Sequence, residues 1–433
     1  MTQITKSEEY WKRALRVIPG GTQTLSKGPM QYVDGVAPKY LRSGKGCRVF
    51  DVDGNEYIDY CMGLHALILG YSYPVVNEAI ARQLRDGTNL SLMHPLEVEV
   101  AELLKEVIPC AEMIRFGKNG ADATGAAVRV ARAYTSRDKI CCCGYHGYHD
   151  WSISTTSRNR GVPKSVQELT VTFHYNDLDS LKKAFEDNSD EIAAVIMEPW
   201  GGTEPREGFL SEVKTVTHKN GAVLIFDEII TGFRLSLGGA QEFFSVIPDL
   251  AAFGKAMANG MPISALVGKA EIMREFESVF FSTTFGGETL SLAAAKATIT
   301  EIRERKVIPY IWNVGRQLQE GYNKIAREHD LQSDGPSSAC SGYAPRTTIA
   351  FKNPDGKESL EMKTLFQQEL LKRGILYPGH NIMSFSHTPH DIEETLEAYD
   401  EALEILRRAI DEGNVNKYVE GKLLEPVFRE SEY

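Results

Sequence analysis

Two short segments of the chain carry a carboxylate and a lysine that could act together on one cofactor. In residues 224–230, Asp227 ends an apolar run that is typical of a buried strand. In residues 253–256, 28 positions further on, Lys255 stands among small and apolar residues. A buried carboxylate needs a cation beside it, and a protonated pyridine nitrogen is one. A desolvated lysine amine forms Schiff bases readily. The pair therefore predicts pyridoxal phosphate (PLP) chemistry, with Asp227 and Lys255 as catalytic residues.

Three further stretches could hold parts of such a cofactor. Residues 116–123 join a predicted strand to a predicted helix, and the free N–H groups of a helix start favour a phosphate. The stretch is neither a Walker A loop nor a GxGxxG fingerprint. Tyr145, within residues 144–151, could stack on a ring, although an aromatic loop packed on the core is the alternative. Residues 282–287 add hydroxyls and glycines.

Composition excludes several classes of partner. The 433 residues are 42% hydrophobic and 25% charged, as in an ordinary globular protein, and the net charge is −11. Nucleic acids and anionic membranes call for a basic surface, so neither is expected as a partner. The polar residues 1–16 do not resemble a secretory signal, and no apolar run is long enough to span a membrane. We therefore expect a cytoplasmic protein that binds small molecules.

The cysteines and histidines do not predict a metal site. Seven cysteines are present without a Cys-x-x-Cys pair, and residues 140–143 are interpreted as a buried strand of a reduced protein. His146 and His149, beside Asp150, are interpreted as structural residues because isolated histidines seldom bind metal.

The middle of the chain alternates short apolar runs with helical patterns, which predicts an α/β fold with a mostly parallel sheet flanked by helices. Ligands bind outside the carboxyl ends of such strands, where Asp227 and Glu198 stand. The predicted strands are 113–116, 140–143, 169–173, 192–197, 222–226, 264–267 and 279–281. The predicted helices are 75–86, 96–107, 120–134, 178–186, 208–219 and 288–303.

Three regions follow from these patterns. Residues 1–62 combine an amphipathic helix with a hairpin that turns at Asp53-Gly54-Asn55. Residues 63–310 form the large domain that would bind the cofactor. Residues 311–433, rich in helices and including an acidic helical pattern at 391–412, are predicted to form a smaller α/β domain together with the N-terminal region.

Together these motifs resemble class III aminotransferases of PLP fold-type I, and more closely the glutamate-1-semialdehyde aminomutase branch. The resemblance covers about residues 18–295, and its most specific parts are residues 226–234 and 248–262. It implies a Schiff-base and proton-shuttling role for Lys255 and a pyridine-nitrogen partner in Asp227. It also implies a homodimer in which Thr284 reaches the phosphate of the neighbouring subunit. The other cofactor-binding positions that it implies are Gly120, Ala121, Tyr145, Glu198 and Ile229.

The chain departs from the aminomutase pattern mainly where the resemblance places substrate contacts. Lys27 stands where that branch has its substrate-carboxylate arginine, Gly63-Leu64 replaces Ser-Trp, and Thr203 replaces an Asn. An Arg-to-Lys change at a bidentate site is not conservative. The same cofactor chemistry on another substrate is therefore expected.

The resemblance thus implies transfer of an amino group, with L-glutamate as the expected donor and an aldehyde or ketone as acceptor. The strings at 144–151 and 285–292 are similar to those of transaminases for sugars or sugar acids, such as 8-amino-3,8-dideoxy-manno-octulosonate transaminase. An intramolecular aminomutase, another PLP reaction and a PLP-binding protein without turnover remain open alternatives. A serine hydrolase is excluded because the sequence has no Gly-x-Ser-x-Gly.

Overall fold

A computed structural model describes residues 4–332 and 335–425 of the chain. These residues divide into two compact units. One combines the described residues up to Tyr73 with those from Pro309 onward, and the other runs from Pro74 to Ile308.

Helices make up much of both units. The α-helical segments of the described residues are, in chain order, α1 Thr5–Val17, α2 Met62–His65, α3 Pro74–Asp86, α4 Pro95–Val107, α5 Gly120–Thr135, α6 Asp150–Ile153, α7 Lys164–Gln167, α8 Leu178–Asp187, α9 Phe209–Lys219, α10 Ala240–Phe243, α11 Ala270–Met273, α12 Thr289–Glu304, α13 Val307–Glu328, α14 Leu360–Lys372 and α15 Pro389–Asp411. Short 3₁₀ turns lie at Pro19–Gly21, Leu25–Lys27, Pro29–Gln31, Lys255–Ala258, Arg274–Glu277 and Val415–Tyr418.

The strands are β1 Leu41–Lys45, β2 Arg48–Asp51, β3 Glu56–Asp59, β4 Met113–Gly117, β5 Lys139–Cys143, β6 Thr170–Thr172, β7 Ile192–Met197, β8 Val223–Asp227, β9 Leu250–Phe253, β10 Ser264–Gly268, β11 Ser337–Ser341, β12 Arg346–Lys352, β13 Ile375–Leu376 and β14 His380–Ile382.

A seven-stranded sheet organises the unit from Pro74 to Ile308, with the strand order β4-β10-β9-β8-β7-β5-β6. The pairs β9–β8, β8–β7, β7–β5 and β5–β6 are parallel, whereas β10 is antiparallel to both of its neighbours. All strands except β10 therefore run in one direction. Strands β7, β8 and β9 are buried along their whole length, and the small side chains of α5 pack with them in one apolar core. The expected mostly parallel sheet flanked by helices is confirmed.

One predicted strand is wrong, and one strand of the sheet was not predicted. Residues 279–281, predicted as a strand, are not in one. The carbonyl oxygens of Phe280 and Phe281 instead accept hydrogen bonds from the guanidinium groups of Arg129 and Arg115, and the Phe280 side chain is exposed. Conversely, Leu250–Phe253 forms the buried strand β9, which the sequence analysis did not predict. Its two central alanines are weak strand formers and did not distinguish this run from the small and apolar residues around Lys255.

The other unit contains two smaller sheets. In the first, β2 and β3 form the predicted hairpin across Asp53-Gly54-Asn55, and β13 from the C-terminal part of the chain pairs in parallel with β3. In the second, β12 lies between β11 and β14. The acidic pattern at 391–412 corresponds to α15, whose first turn is capped by Thr388. Among the described residues, no helix is both long and apolar enough to cross a membrane.

Candidate active site

In the unit from Pro74 to Ile308, called the large unit below, most of the predicted site residues lie at the carboxyl ends of strands of the seven-stranded sheet. Because β4, β5, β7, β8 and β9 run in the same direction, their carboxyl ends lie along the same side of the sheet. Gly120, at the predicted phosphate-binding helix start, follows β4. Tyr145 follows β5, Glu198 follows β7, Asp227 ends β8 and Lys255 follows β9. This is the edge at which parallel sheets bind ligands.

Asp227 is held by an imidazole ring that the sequence did not connect to it. The side chain of Asp227 is buried, and its Oδ2 lies 2.9 Å from Nδ1 of His146. The other ring nitrogen of His146, Nε2, lies 3.0 Å from the carbonyl oxygen of Cys143. The backbone amide of Ile229 donates to Oδ1 of Asp227 over 3.1 Å. These bonds fix the carboxylate plane at the end of β8.

The two contacts of His146 orient its ring. A carbonyl oxygen only accepts, so Nε2 of His146 donates to the carbonyl oxygen of Cys143. Nδ1 on the other side of the ring then faces Oδ2 of Asp227. The imidazole thus links the end of β5 to the carboxylate at the end of β8.

Lys255 begins the 3₁₀ turn directly after β9. Its backbone φ is +43°, a left-handed conformation that is uncommon for a residue with a side chain, and the residue is half-buried. A Cβ placed on the preceding Gly254 would lie 3.1 Å from Cδ1 of Ile229. Ile229, two residues after Asp227, thus packs beside the backbone that carries Lys255. The structure brings the carboxylate segment and the lysine segment together through Ile229.

The start of α5 forms the anion cradle. Gly120 and Ala121 are its first two helical residues, whose amides have no carbonyl partner within a helix. One carboxylate oxygen of Asp122 accepts the amides of Lys118 and Asn119, each at 2.8 Å, and so fixes the loop ahead of the helix. A Cβ on Gly120 would come within 3.2 Å of the Ile229 side chain. A side chain at position 120 would crowd Ile229, and the cradle therefore adjoins Ile229.

The loop that carries Tyr145 packs against the same helix turn. The hydroxyl of Thr124 in α5 donates to the carbonyl oxygen of His146 over 2.7 Å. Gly147 has a φ of +112°, and a Cβ there would lie 2.8 Å from Cβ of Ala121. Tyr145 remains 44% exposed. Burial, and then the negative charge of Asp227, raise the pKa of its hydroxyl. The residue is thus partly exposed near the carboxylate, and an exposed ring face is what stacking on a planar ligand requires.

Glu198 and Thr284 occupy different surroundings. Glu198 is half-buried immediately after β7, and its negative charge contributes to the raised pKa of Cys143 at the end of neighbouring β5, where burial is the larger cause. Thr284 is exposed in the loop before α12. Hydrogen bonds and an ion pair at the two ends of this loop join it to β4, to α5 and to Lys118 between them.

Glu228, next to Asp227, is a second residue whose place the sequence did not reveal. It is fully buried, and its carboxylate accepts the amides of Ala240 and Gln241 at 2.7 and 2.8 Å and the Thr231 hydroxyl at 2.5 Å. Burial raises its pKa, against the effect of these hydrogen bonds. Glu228 therefore holds the turn after β8 to the start of α10. The sequence signal that could have found Glu228 was an acidic residue directly after the Asp that ends a strand.

A model of the family described as "Aminotransferase class-III" matches residues 33–340. The chain belongs to the class III aminotransferase family. The 3-aminobutyryl-CoA aminotransferase of Cloacimonas acidaminovorans is 36% identical to this aminotransferase over 94% of this chain and 99% of the relative. The glutamate-1-semialdehyde 2,1-aminomutase of Alkaliphilus oremlandii is also 36% identical, over 94% and 100% of the two chains. The FumI protein of Sphingopyxis sp. MTA144, solved in a PLP-bound form, superposes with a TM-score of 0.87 at 29% identity, covering 94% and 98%.

Membership of this family makes the protein a PLP-dependent transaminase. The residues at the sheet edge suit that cofactor. A cradle of helix-start amides accepts a phosphate, a buried carboxylate accepts a pyridinium N–H, and an amine stands on the adjoining strand end. Among the described residues of this aminotransferase, no cluster of His, Cys, Asp and Glu is arranged to hold a metal ion.

Proposed function

We propose that this aminotransferase takes an amino group from L-glutamate and delivers it to a carbonyl compound in two half-reactions, through a Schiff base on Lys255. The observation that carries the proposal is the meeting of Asp227, Ile229, Gly120 and the backbone before Lys255 at one sheet edge. The proposed reaction requires an external amino donor, whereas an intramolecular aminomutase would use none.

Each residue has a task in this proposal. PLP, when bound, supplies an aldehyde that condenses with amines and a ring that withdraws electrons. Asp227 would accept the pyridine N–H, and its contacts with His146 and the Ile229 amide hold its carboxylate in place. Lys255 Nζ would take the proton from the amino-bearing carbon of the donor. The amides of Gly120 and Ala121 would bind the phosphate, and Tyr145 and Ile229 would contact the two ring faces.

For the acceptor we propose a sugar or sugar acid, because residues 144–151 and 285–292 are similar to the corresponding segments of transaminases that act on such compounds. A second candidate is a 3-oxoacyl thioester, because a relative 36% identical over nearly its whole length is a 3-aminobutyryl-CoA aminotransferase. Both candidates fit a chain that lacks the aminomutase residues at positions 27, 63, 64 and 203.

We further propose a homodimer in which Thr284 completes the neighbouring subunit's phosphate site. The large unit exposes several bulky apolar side chains, with Leu92 and Met93 each 81% and Phe280 79% exposed. Apolar surface of this kind is typical of an interface between subunits. The exposed position of Thr284, four residues after Phe280, suits a contact with another chain.

The donor half-reaction tests the proposal. PLP-loaded protein is mixed with L-glutamate alone, and the visible absorption of the bound cofactor and the 2-oxoglutarate formed are measured. We expect loss of the visible band and one 2-oxoglutarate for each site. A visible band that glutamate leaves unchanged would contradict glutamate as donor. The glutamate-treated protein is then offered sugar aldehydes, ketosugar acids and acetoacetyl-CoA, and the return of the band identifies the acceptor class.

A further inference from the structure

The loop that carries Thr284 is fixed at both ends by cations from the strand–loop–helix unit that forms the anion cradle. This loop comprises residues 280–288 and is called the 280–288 segment. At its start, Arg129 of α5 donates to the carbonyl oxygen of Phe280 over 2.8 Å, and Arg115 of β4 donates to that of Phe281 over 2.7 Å. At its end, Nζ of Lys118 pairs with Oε2 of Glu288 over 3.0 Å. All three cations belong to β4, the cradle loop or α5.

The Lys118–Glu288 pair is more sheltered than an ordinary surface ion pair. The Lys118 and Glu288 side chains are only 16% and 15% exposed. Nζ of Lys118 also donates to the hydroxyl of Ser291 over 3.2 Å, and that hydroxyl donates to Oε2 of Glu288 over 2.6 Å. Glu288 in turn caps α12 by accepting the amides of Leu290 and Ser291. Partial exclusion of water strengthens each of these electrostatic contacts.

The direction of the Lys118 side chain carries the inference. A lysine within a phosphate-binding loop is expected to contribute its charge to the phosphate. Here its ammonium group is taken up by Glu288 and Ser291 instead. The pKa of Glu288 is lowered, although burial opposes this, because Ser291 and Lys118 hydrogen-bond to its carboxylate. The carboxylate is therefore ionised at neutral pH and holds Lys118.

We infer that Lys118 is a positioning residue: it binds Glu288 rather than the phosphate and so ties the Thr284 loop to the cradle. The inference rests on the proposed function, because it gives the loop a purpose in PLP binding. Two independent anchors, the arginines at one end and the Lys118–Glu288 pair at the other, limit the motion of the four residues on either side of Thr284. If Lys118 were a phosphate ligand, removal of the Glu288 charge would release it and tighten PLP binding. If Lys118 positions the loop, the same change would weaken PLP binding.

The test compares Lys118→Met, Glu288→Gln, the double variant and Lys118→Arg with the wild type. The equilibrium dissociation constant for PLP is measured on refilling the apo-protein, and hydrogen–deuterium exchange is followed in peptides that cover the 280–288 segment. The matched controls are Lys296→Met and Glu99→Gln, because these residues form a 2.8 Å ion pair between α12 and α4 that is about half exposed. Exposed pairs contribute little, so the controls should leave both readouts unchanged.

We expect each single variant to raise the PLP dissociation constant about tenfold and to speed exchange in the segment, with the double variant no worse than the poorer single one. Lys118→Arg should recover most of the affinity. Tighter PLP binding in Glu288→Gln would overturn the inference, since it would show that a released Lys118 binds the phosphate. Multiplicative effects in the double variant, or unchanged exchange in the segment, would also overturn it. A wild-type protein that takes up no PLP would refute the proposed function. Hydrogen–deuterium exchange in the 280–288 segment of the apo-protein variants would still decide whether Lys118 positions the loop.

Discussion

Nδ1 of His146 lies 2.9 Å from Oδ2 of Asp227, in a buried pair whose partners are 81 residues apart in the sequence. The other ring nitrogen faces the carbonyl oxygen of Cys143, so the imidazole is oriented from both sides. A carboxylate that must hold a pyridine nitrogen in one place benefits from such a partner, because the partner fixes the rotamer of the carboxylate.

His146→Gln should therefore weaken catalysis without unfolding the protein. An amide side chain cannot contact both Asp227 and Cys143 with the imidazole geometry. We expect kcat with saturating donor to fall about tenfold or more, a loss typical of removing the partner of a side chain that binds a ligand. His174→Asn, at an exposed position, is the control. Wild-type kcat in His146→Gln would show that the pair has no part in catalysis.

Lys255→Ala should retain PLP binding but lose turnover. The amides of the cradle and Asp227 remain, whereas the amine that moves the proton is gone. We expect kcat to fall by about 10³-fold or more, measured as 2-oxoglutarate release. Lys183→Ala, at an exposed position in α8, controls for loss of a lysine. Turnover of Lys255→Ala within a few-fold of the wild type would remove Lys255 from the mechanism.

Gly147→Ala should destabilise the cradle more than a matched glycine change elsewhere. Both Gly147 and Gly161 have φ near +100°, so an alanine strains the backbone at either position. A Cβ on Gly147 would also lie 2.8 Å from Cβ of Ala121, whereas one on Gly161 meets no atom within 4 Å. The free energy of unfolding should thus fall by about 1–3 kcal/mol more in Gly147→Ala than in Gly161→Ala. Equal losses in denaturant titrations would contradict the close contact.

Mixing the Lys255→Ala and Thr284→Ala variants tests the shared site. In a heterodimer of Lys255→Ala and Thr284→Ala subunits, one site has an intact Lys255 together with Thr284 from the other subunit, if Thr284 acts across the interface. The mixture should then be more active than the sum of the separate variants. A mixture that never exceeds this sum, after exchange of subunits is shown by mass spectrometry, would place Thr284 in the site of its own subunit or outside it.

Asp249→Asn should lower stability in a pH-dependent way. Burial opposes ionisation of Asp249, but hydrogen bonds from Lys269, the Leu224 amide and His218 lower its pKa below the ordinary value. A carboxyl with a lowered folded-state pKa stabilises the native state above its unfolded pKa, and this contribution is lost as the pH falls through the folded value.

We therefore expect Asp249→Asn to cost about 2–3 kcal/mol at about pH 7 and progressively less towards about pH 3, measured by denaturant unfolding at each pH. Asp86→Asn, an exposed position at the end of α3, should change little at any pH. A loss in Asp249→Asn that stays constant over this range would show that the charge of Asp249 does not contribute.

The sequence predicted the elements whose apolar pattern is strong and local. Six strands of the large sheet, the six predicted helices and the hairpin at Asp53-Gly54 agree with the structure to within a few residues. Strand β9 was missed because two of its four residues are alanines, which pack well in a buried strand but are weak strand formers. Residues 279–281 have strand-forming side chains, but their carbonyl oxygens bind arginines that come from distant positions.

The candidate site shows the same division. Asp227 and Gly120 were predictable from the apolar strand patterns at 222–226 and 113–116, and Lys255 from the small and apolar residues around it. Each of the three carries its chemistry in its own side chain or backbone. The His146–Asp227 and Lys118–Glu288 contacts were not, because each joins segments far apart in the sequence and depends on the order of strands in the sheet. A single sequence does not contain that order directly.

Reduction of the PLP-loaded protein with borohydride tests the central claim most directly. Borohydride converts a lysine–PLP Schiff base into a stable amine, and mass spectrometry of the digested protein then locates the pyridoxyl group. The account predicts a single modified peptide that contains residues 253–256, with the label on Lys255. A label on another lysine, or a protein that binds PLP without a reducible bond to any lysine, would contradict it.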